Sequence, residues 1–269
     1  MNLIPALSAI VIFILGTAVG SFISVVSYRL HERKSGIVKG RSHCRNCEGE
    51  LPVKDLVPLL SYLNLRGRCR FCSKDISFLY PTLEIVSGFL FVGLFYRYPF
   101  LDDVLNFNVD YFFLFLLWGF YTFVLVFTFF YDVQYKKVAD QILLPAILIG
   151  LIATISSYAP HIISALIGLT IAVAFFGGQY VLSKGKWIGG GDIRIGAFIG
   201  VILGWKLTAL AILLSYVLGS IVGAFIAIQK KKFHNVAIPF APFLVSGTLL
   251  AFYFGEDMIA WYLRISGMA

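Results

Sequence analysis

The chain has 269 residues, 59% of them hydrophobic and only 13% charged, with a formal net charge of +8. A mean hydropathy of +0.87 excludes an ordinary soluble globular domain and places the chain among membrane proteins. The basic residues fall in loops, where positive-inside asymmetry accounts for them, so no nucleic-acid partner is expected. A membrane-spanning helix needs about 20 mostly apolar residues. Eight such segments are read, near 4–27, 80–97, 110–131, 141–158, 162–182, 192–205, 207–228 and 238–254. The first has no Lys or Arg ahead of it, while Arg29, Arg33 and Lys34 follow it. That pattern predicts an uncleaved helix with its N-terminus outside.

Half of the 22 Lys and Arg residues lie in loop 28–79. Further basic residues sit at Lys136-Lys137, Lys184-Lys186 and Lys230-Lys231-Lys232, all on one side if eight helices alternate. The opposite loops are neutral or acidic (Asp102, Asp103, Asp110, Glu256, Asp257), with Lys206 as the exception. The basic side is therefore read as cytoplasmic.

Loop 28–79 holds all four cysteines, as Cys44-Arg45-Asn46-Cys47 and Cys69-Arg70-Phe71-Cys72, two C-x-x-C pairs 21 residues apart. Two such knuckles suit a tetrahedral thiolate site for structural zinc. A cytoplasmic loop keeps thiols reduced, which makes disulfides the weaker reading. A redox pair stays open, whereas four thiolates leave a catalytic zinc no free position. His43 stands beside Cys44 either as a bystander or as an exchangeable ligand. The predicted fold is thus an all-α polytopic membrane protein of about eight transmembrane helices, with a small cytoplasmic zinc-binding loop domain between helices 1 and 2.

Two carboxylates remain at the ends of apolar runs on the basic side: Asp132 after Tyr131, and Asp192 after Gly189-Gly190-Gly191. Carboxylates are costly at such positions and mark functional sites. Asp192 also reads as a plain helix N-cap. Three consecutive glycines exceed what a cap needs, however, and permit close approach of a backbone or a substrate. Two carboxylates in one site hold a single proton between them. The ionised member takes a proton from water and the protonated member polarises a scissile carbonyl. A helix N-terminus behind Asp192 favours its charged form and makes it the candidate base, although such a pair titrates as a unit. Asp140 reads as an N-cap. Glu84 reads as an anchor to a basic residue of the loop.

Taken together the motifs resemble the type IV prepilin peptidases, the bifunctional leader peptidases and N-methyltransferases of pilus and type II secretion systems. The resemblance rests on Gly20-Ser21-Phe22 with Val25-Val26-Ser27-Tyr28-Arg29; on Asp55, Pro58, Ser61 and Leu65-Arg66-Gly67-Arg68-Cys69 between the knuckles; on Tyr80-Pro81-Thr82-Leu83-Glu84; on Asp132 with Asp140 and Pro145; on Gly189-Gly190-Gly191-Asp192 with Gly200; and on Ile238-Pro239-Phe240-Ala241-Pro242-Phe243. It implies that Asp132 and Asp192 are the catalytic pair of an intramembrane aspartic endopeptidase in the inner membrane, with its active site facing the cytoplasm. The implied substrates are prepilins or pseudopilins, whose short basic leader ends in Gly ahead of an apolar helix. It also implies N-methylation of the new terminus by S-adenosylmethionine, although no glycine-rich nucleotide fold marks the donor's site. The domains are then a first helix over 1–27, a methyltransferase-associated four-cysteine zinc-binding domain over 28–79 and a peptidase domain over 80–269. The chain departs from the family pattern at Ser24, Arg45, Val138-Ala139, Arg194 and Ala241. The first two bear on methyl transfer, and Arg194 in place of Lys keeps charge while changing its geometry. Glu48, Glu50, Asp55 or Glu84 are candidate receivers of a basic leader, with anionic lipid as the alternative.

Two other classes compete. Paired intramembrane acids and short broken helices also suit a transporter or channel, though no repeat relates the two halves. A scaffold would use the zinc loop for docking alone. The sequence does not fix the oligomeric state.

Overall fold

The computed structural model describes residues 3–32, 40–103, 106–156, 158–230 and 239–267. Arg33, Lys34, Lys231, Lys232 and Ile238, on which parts of the charge and motif readings rest, lie outside the described residues. So do the side chains of Asp102, Asp103 and Lys230. The chain divides into two compact units, Met1–Phe130 and Tyr131–Ala269.

The first unit begins with α1 (Leu3–His31). A loop follows, containing a 3-10 turn (Val53–Asp55) and the short helix α2 (Leu60–Asn64). Then come α3 (Leu79–Arg97), a two-stranded antiparallel ribbon of β1 (Leu101–Asp103) and β2 (Asn106–Phe107), and most of α4 (Val109–Tyr135). Helix α1 packs on α3 through small residues spaced four apart. A Cβ on Gly16 would lie 2.8 Å from the Gly88 Cα, and one on Gly20 would lie 2.9 Å from the Glu84 Cα. Such close backbone approach is a usual way for helices to associate in lipid, where apolar side chains gain little by leaving the bilayer. Phe91, Phe95, Phe100, Phe112 and Phe115 form a ring cluster beside the ribbon, with edge-on or tilted contacts of 5.1–6.1 Å.

The second unit holds the end of α4, α5 (Asp140–Ala153), α6 (Ile162–Ser183), α7 (Gly190–Lys230) and α8 (Ala241–Ile265). Helix α7 is two helices in space. Gly204 has φ 70° and ψ 176°, a conformation only glycine adopts readily. The Thr208 hydroxyl lies 3.5 Å from the Ile199 carbonyl. Along a straight helix these nine positions would span about 13.5 Å, so the chain folds back at Gly204. The sequence reading of separate runs over 192–205 and 207–228 matches these two legs. A Cβ on Gly200 of the first leg would meet the Gly168 backbone of α6, and one on Gly247 of α8 would meet Ala211 and Ser215 of the second leg.

The segment read as 141–158 is shorter than expected. Helix α5 has 14 residues, about 21 Å at 1.5 Å per residue. It ends because side-chain hydroxyls take over its last carbonyls: Thr154 donates to Leu151 and Ser156 to Ala153. Among the described residues six helices are long and apolar enough to cross a membrane. Their outer faces carry exposed Leu7, Ile10, Val11 and Ile14 on α1, Ile163 and Val181 on α6, and Ile221 and Phe225 on α7. Contiguous apolar surface of this kind suits lipid contact. The architecture is that of an all-α polytopic membrane protein, with a four-cysteine loop between its first two long helices.

Candidate functional site

The cysteine loop is built from one turn used twice. Cys44 receives and gives backbone hydrogen bonds around its knuckle, Cys44 N–H to Gly49 O and Glu48 N–H to Cys44 O. Cys69 repeats them with Lys74 O and the Ser73 N–H. Glu48 and Ser73, each the residue after the second cysteine, sit in the left-handed region at φ 56° and 57°. The duplication aims four sulfurs at one point, with all four Sγ atoms within 4.8 Å of one another. Cys44 Sγ and Cys72 Sγ are 3.9 Å apart. Thiolates bound at about 2.3 Å to a tetrahedral zinc stand roughly 3.8 Å apart, so the donor set fits that ion and does not form disulfides. Burial works against the Cys44 thiolate, but backbone N–H groups of Asn46 and Cys47 bring the thiol down to about 6. His43 is not in the cluster. It forms a bridge pair with Glu50, and its ring lies edge-on to Tyr28 at 5.8 Å.

The loop is tied down by carboxylates. Asp55 accepts from Arg70 Nε and Nη2 at 2.7 and 2.6 Å, and these bonds hold its carboxyl below the ordinary range. Glu50 pairs with Arg41 at 2.9 Å. Glu84 accepts the Leu59 N–H at 2.8 Å, which corrects the expectation of a basic partner. Leu59 has φ 61°, and the buried carboxylate holds this unusual backbone in place. Of the acids considered for a basic leader, Glu50 and Asp55 are already engaged by arginines. A cavity of about 460 Å³ opens between α1, the loop and α3, with Tyr28, Arg45, Tyr80 and Glu84 on its wall.

In the second unit Asp132 lies in the last turn of α4. That helix runs on to Tyr135 and stops at Lys136, in the left-handed region at φ 51°. Asp132 is 7% exposed and Asp192 8%. The Asp132 Oδ2 atom is buried without a hydrogen-bond partner. Asp192 Oδ2 accepts the Gly189 N–H at 3.0 Å. This is the reach-back of an acid at the third helical position onto the capping residue, so Asp192 is not itself the N-cap. Its other oxygen is left for other work. The two aspartates are close enough for the charge of one to act on the other.

The glycines divide the labour. A side chain on Gly191 would collide with the Val138 methyls, whereas Gly190 has open space. Gly191 therefore lets the segment after α4 lie against the start of α7. Arg194 closes the same junction, its Nη1 reaching both oxygens of Asp140 at 2.6 and 2.7 Å. Ala139, not Asp140, is the N-cap of α5. The sequence reading missed Tyr216, whose hydroxyl donates to Gln179 Oε1 at 2.8 Å and which feels the Asp192 charge. It also missed Gln134, whose Oε1 is buried without a partner. The available signal was an amide in an otherwise apolar run.

Residues 14–98 match the bacterial peptidase A24 N-terminal domain, which includes all four cysteines, and residues 119–224 match the type IV leader peptidase family, which includes both aspartates. Proteins named prepilin leader peptidase/N-methyltransferase are similar along nearly the whole chain. The one from Bacillus subtilis (strain 168) is 27% identical over 95% of this chain and 98% of its own length. That from Legionella pneumophila is 28% identical over 96% of each. That from Pseudomonas putida is 29% identical over 98% of this chain and 96% of its own. No solved structure matches the chain. With two buried acids in the matched peptidase region and a thiol cluster in the matched N-terminal region, the chain belongs to the type IV leader peptidase family.

Proposed function

We propose that this protein removes the leader peptide of prepilins or pseudopilins by means of Asp132 and Asp192, and then N-methylates the exposed amino terminus. The observation that carries the peptidase reading is the pair itself: two buried carboxylates within electrostatic reach, one with an unpartnered oxygen. Asp192, with the Gly189 N–H on one oxygen and the N-terminus of α7 behind it, is the ionised member. Asp132 carries the shared proton. Asp192 takes a proton from a water whose oxygen bonds to the scissile carbonyl carbon. Asp132 donates to the carbonyl oxygen. The tetrahedral diol collapses as one of its hydroxyl protons returns to Asp132, the C–N bond breaks, and the proton held on Asp192 passes to the leaving amine. The relatives this chain matches are named as enzymes, which leaves a transporter or a scaffold without support.

Basic residues flank both aspartates at Lys136-Lys137 and Lys184-Lys186. By the positive-inside rule the site faces the cytoplasm, the N-terminus lies outside, and the protein resides in the inner membrane. The thiols Cys44, Cys47, Cys69 and Cys72 hold one zinc that closes loop 28–79, the methyltransferase-associated part, while residues 80–269 carry the peptidase. S-adenosylmethionine is the methyl donor.

The deciding experiment incubates the purified protein in lipid with a prepilin substrate and follows the cut peptide by mass spectrometry. Wild type cleaves, whereas Asp132→Asn and Asp192→Asn do not, although both remain inserted and folded. Cleavage at the wild-type rate by either variant overturns the assignment.

A further inference from the structure

The methyl-transfer reading leaves the donor's site unassigned, and in the first unit a cavity opens between α1, the cysteine loop and α3. Its volume, about 460 Å³, lies in the range of roughly 300–1,000 Å³ typical of small-molecule sites. Its wall mixes apolar side chains with charges, and most of those charges are already engaged. Asp55 holds Arg70, and Asp75 pairs with Arg68 at 3.3 Å. Arg41 pairs with Glu50. Arg29 donates to the Gly40 carbonyl at 2.7 Å, and Lys74 to the Asn46 amide oxygen at 2.7 Å.

Two opposite charges stand outside this pattern. The Arg45 guanidinium lies over two rings, 4.5 Å from the Tyr28 centroid and 5.3 Å from that of Tyr80. These cation–π contacts hold the group at the cavity wall, and a guanidinium carries a fork of N–H donors that can read a carboxylate with two parallel bonds. Glu84 lies one helical turn beyond Tyr80, on the same side of α3. It is 9% exposed, and the Leu59 N–H that it accepts is a neutral partner. The cavity wall thus carries one cation held over aromatic rings and one buried anion.

We infer that this cavity binds S-adenosylmethionine, with Arg45 receiving the α-carboxylate and Glu84 facing the positively charged sulfonium end. The inference rests on the methyl-transfer reading above. It also gives the Arg45 departure from the family pattern a role: the guanidinium brings a positive charge and N–H donors that a proline at this position lacks. Val25, Leu51, Leu56 and Leu65 supply the apolar wall against which a purine lies.

The test uses the full-length, zinc-loaded protein in detergent. Isothermal titration measures S-adenosylmethionine and S-adenosylhomocysteine side by side, because the second ligand lacks the sulfonium charge. Wild type binds both and prefers the charged donor. Arg45→Ala weakens both ligands equally, by roughly ten- to hundredfold, the size expected when a charge-assisted hydrogen-bond pair is lost. Arg45→Lys recovers only part of that loss. Glu84→Gln weakens the charged donor alone and erases the preference. Zinc content serves as the fold control and does not change; for the Arg45 variants leader cleavage is a second control and is also unchanged. If Glu84→Gln does not fold, Tyr28→Leu, which removes the stacking platform, must reproduce the Arg45→Ala loss. Wild-type affinities in the Arg45 and Glu84 variants overturn the site while leaving the methyltransferase standing, and so does an equal loss of both ligands in Glu84→Gln. A wild-type protein that cleaves leaders but binds neither ligand and methylates nothing overturns the methyltransferase reading, and this site with it.

Discussion

The two units treat carboxylates in opposite ways. In the cysteine loop acids are met by cations: Asp55 by two bonds from Arg70, Glu50 by Arg41 and Asp75 by Arg68. In the aspartate unit the buried acids are left short, Asp132 with an unpartnered oxygen and Asp192 with one backbone N–H. An unsatisfied buried acceptor costs stability, about 1–3 kcal/mol. A fold that merely needed to stand would not keep one beside a second carboxylate. Acids met by cations hold a shape, and in the proposed mechanism the starved pair holds a place for a water and a peptide carbonyl.

The sharpest way to break this contrast is to neutralise one member on each side. Asp132→Asn or Asp192→Asn lowers leader cleavage by roughly 10²–10⁴-fold, the contribution of a positioned acid or base, and leaves zinc content untouched. Paired Cys44→Ser/Cys47→Ser or Cys69→Ser/Cys72→Ser changes do the converse. Bound zinc falls from about one per chain to none and the loop loses its structure, while the aspartate unit keeps cleaving. Metal analysis and the leader assay, run on the same preparations, separate the two. Zinc near zero in the active wild type would break the structural-zinc claim.

A smaller effect tests the junction that holds the starved pair. Gly191→Ala places a methyl against the Val138 side chain. Overpacking of this kind costs about 1–3 kcal/mol and lowers cleavage about tenfold or more. Val138→Ala in the same chain restores most of the rate, because the space is returned. Gly190→Ala, whose methyl meets nothing, stays near wild type. A double variant no better than Gly191→Ala alone would mean that the glycine serves something other than this contact.

On the satisfied side the handle is pH. Arg70 hydrogen bonds are the main cause of the depressed Asp55 carboxyl, with burial opposing them and the charges of Arg70 and Lys54 adding. A carboxyl that is depressed on folding contributes stability above its ordinary value of 3.8 and loses it as the pH falls through the folded value. Asp55→Asn therefore melts earlier than wild type by a margin that is constant from about pH 5 to 8 and closes in stronger acid. A margin that changed between pH 6 and 8 would implicate another titrating group.

Local signals were legible in the sequence and long-range pairings were not. The C-x-x-C spacing sufficed to predict a cluster, because each pair lies within one turn. The run from 192 to 228 is apolar for longer than one crossing needs, which was enough to divide it into two segments, although not to place the turn at Gly204. Hydropathy alone overran α5, since it counts residues and does not see Thr154 and Ser156 taking the last carbonyls. The partner of Glu84 is 25 residues away and that of Arg194 is 54 away. Both depend on helix packing, and residue type alone suggested a basic partner for the first and nothing for the second. The capping alternative for Asp192 rests on aspartate's preference for that position, but the helix starts at Gly190, which puts the acid at the third position with its oxygen on the Gly189 N–H.

The Arg194 pairing also corrects how its departure from the family's lysine should be weighed. Replacing lysine with arginine matters when the guanidinium fork makes parallel bonds. Here one nitrogen, Nη1, contacts both oxygens of Asp140, a geometry an ammonium can reproduce. Both side chains are nearly half exposed, 46% for Arg194 and 42% for Asp140, so the pair is worth only about 0.2–1 kcal/mol. Arg194→Lys should leave cleavage and melting within error of wild type. Asp140→Asn should lower both slightly, and by less as salt is raised. A large loss in Arg194→Lys would mean that the unused guanidinium nitrogens serve the substrate, and that the junction beside Asp192 belongs to the reaction as well as to the fold.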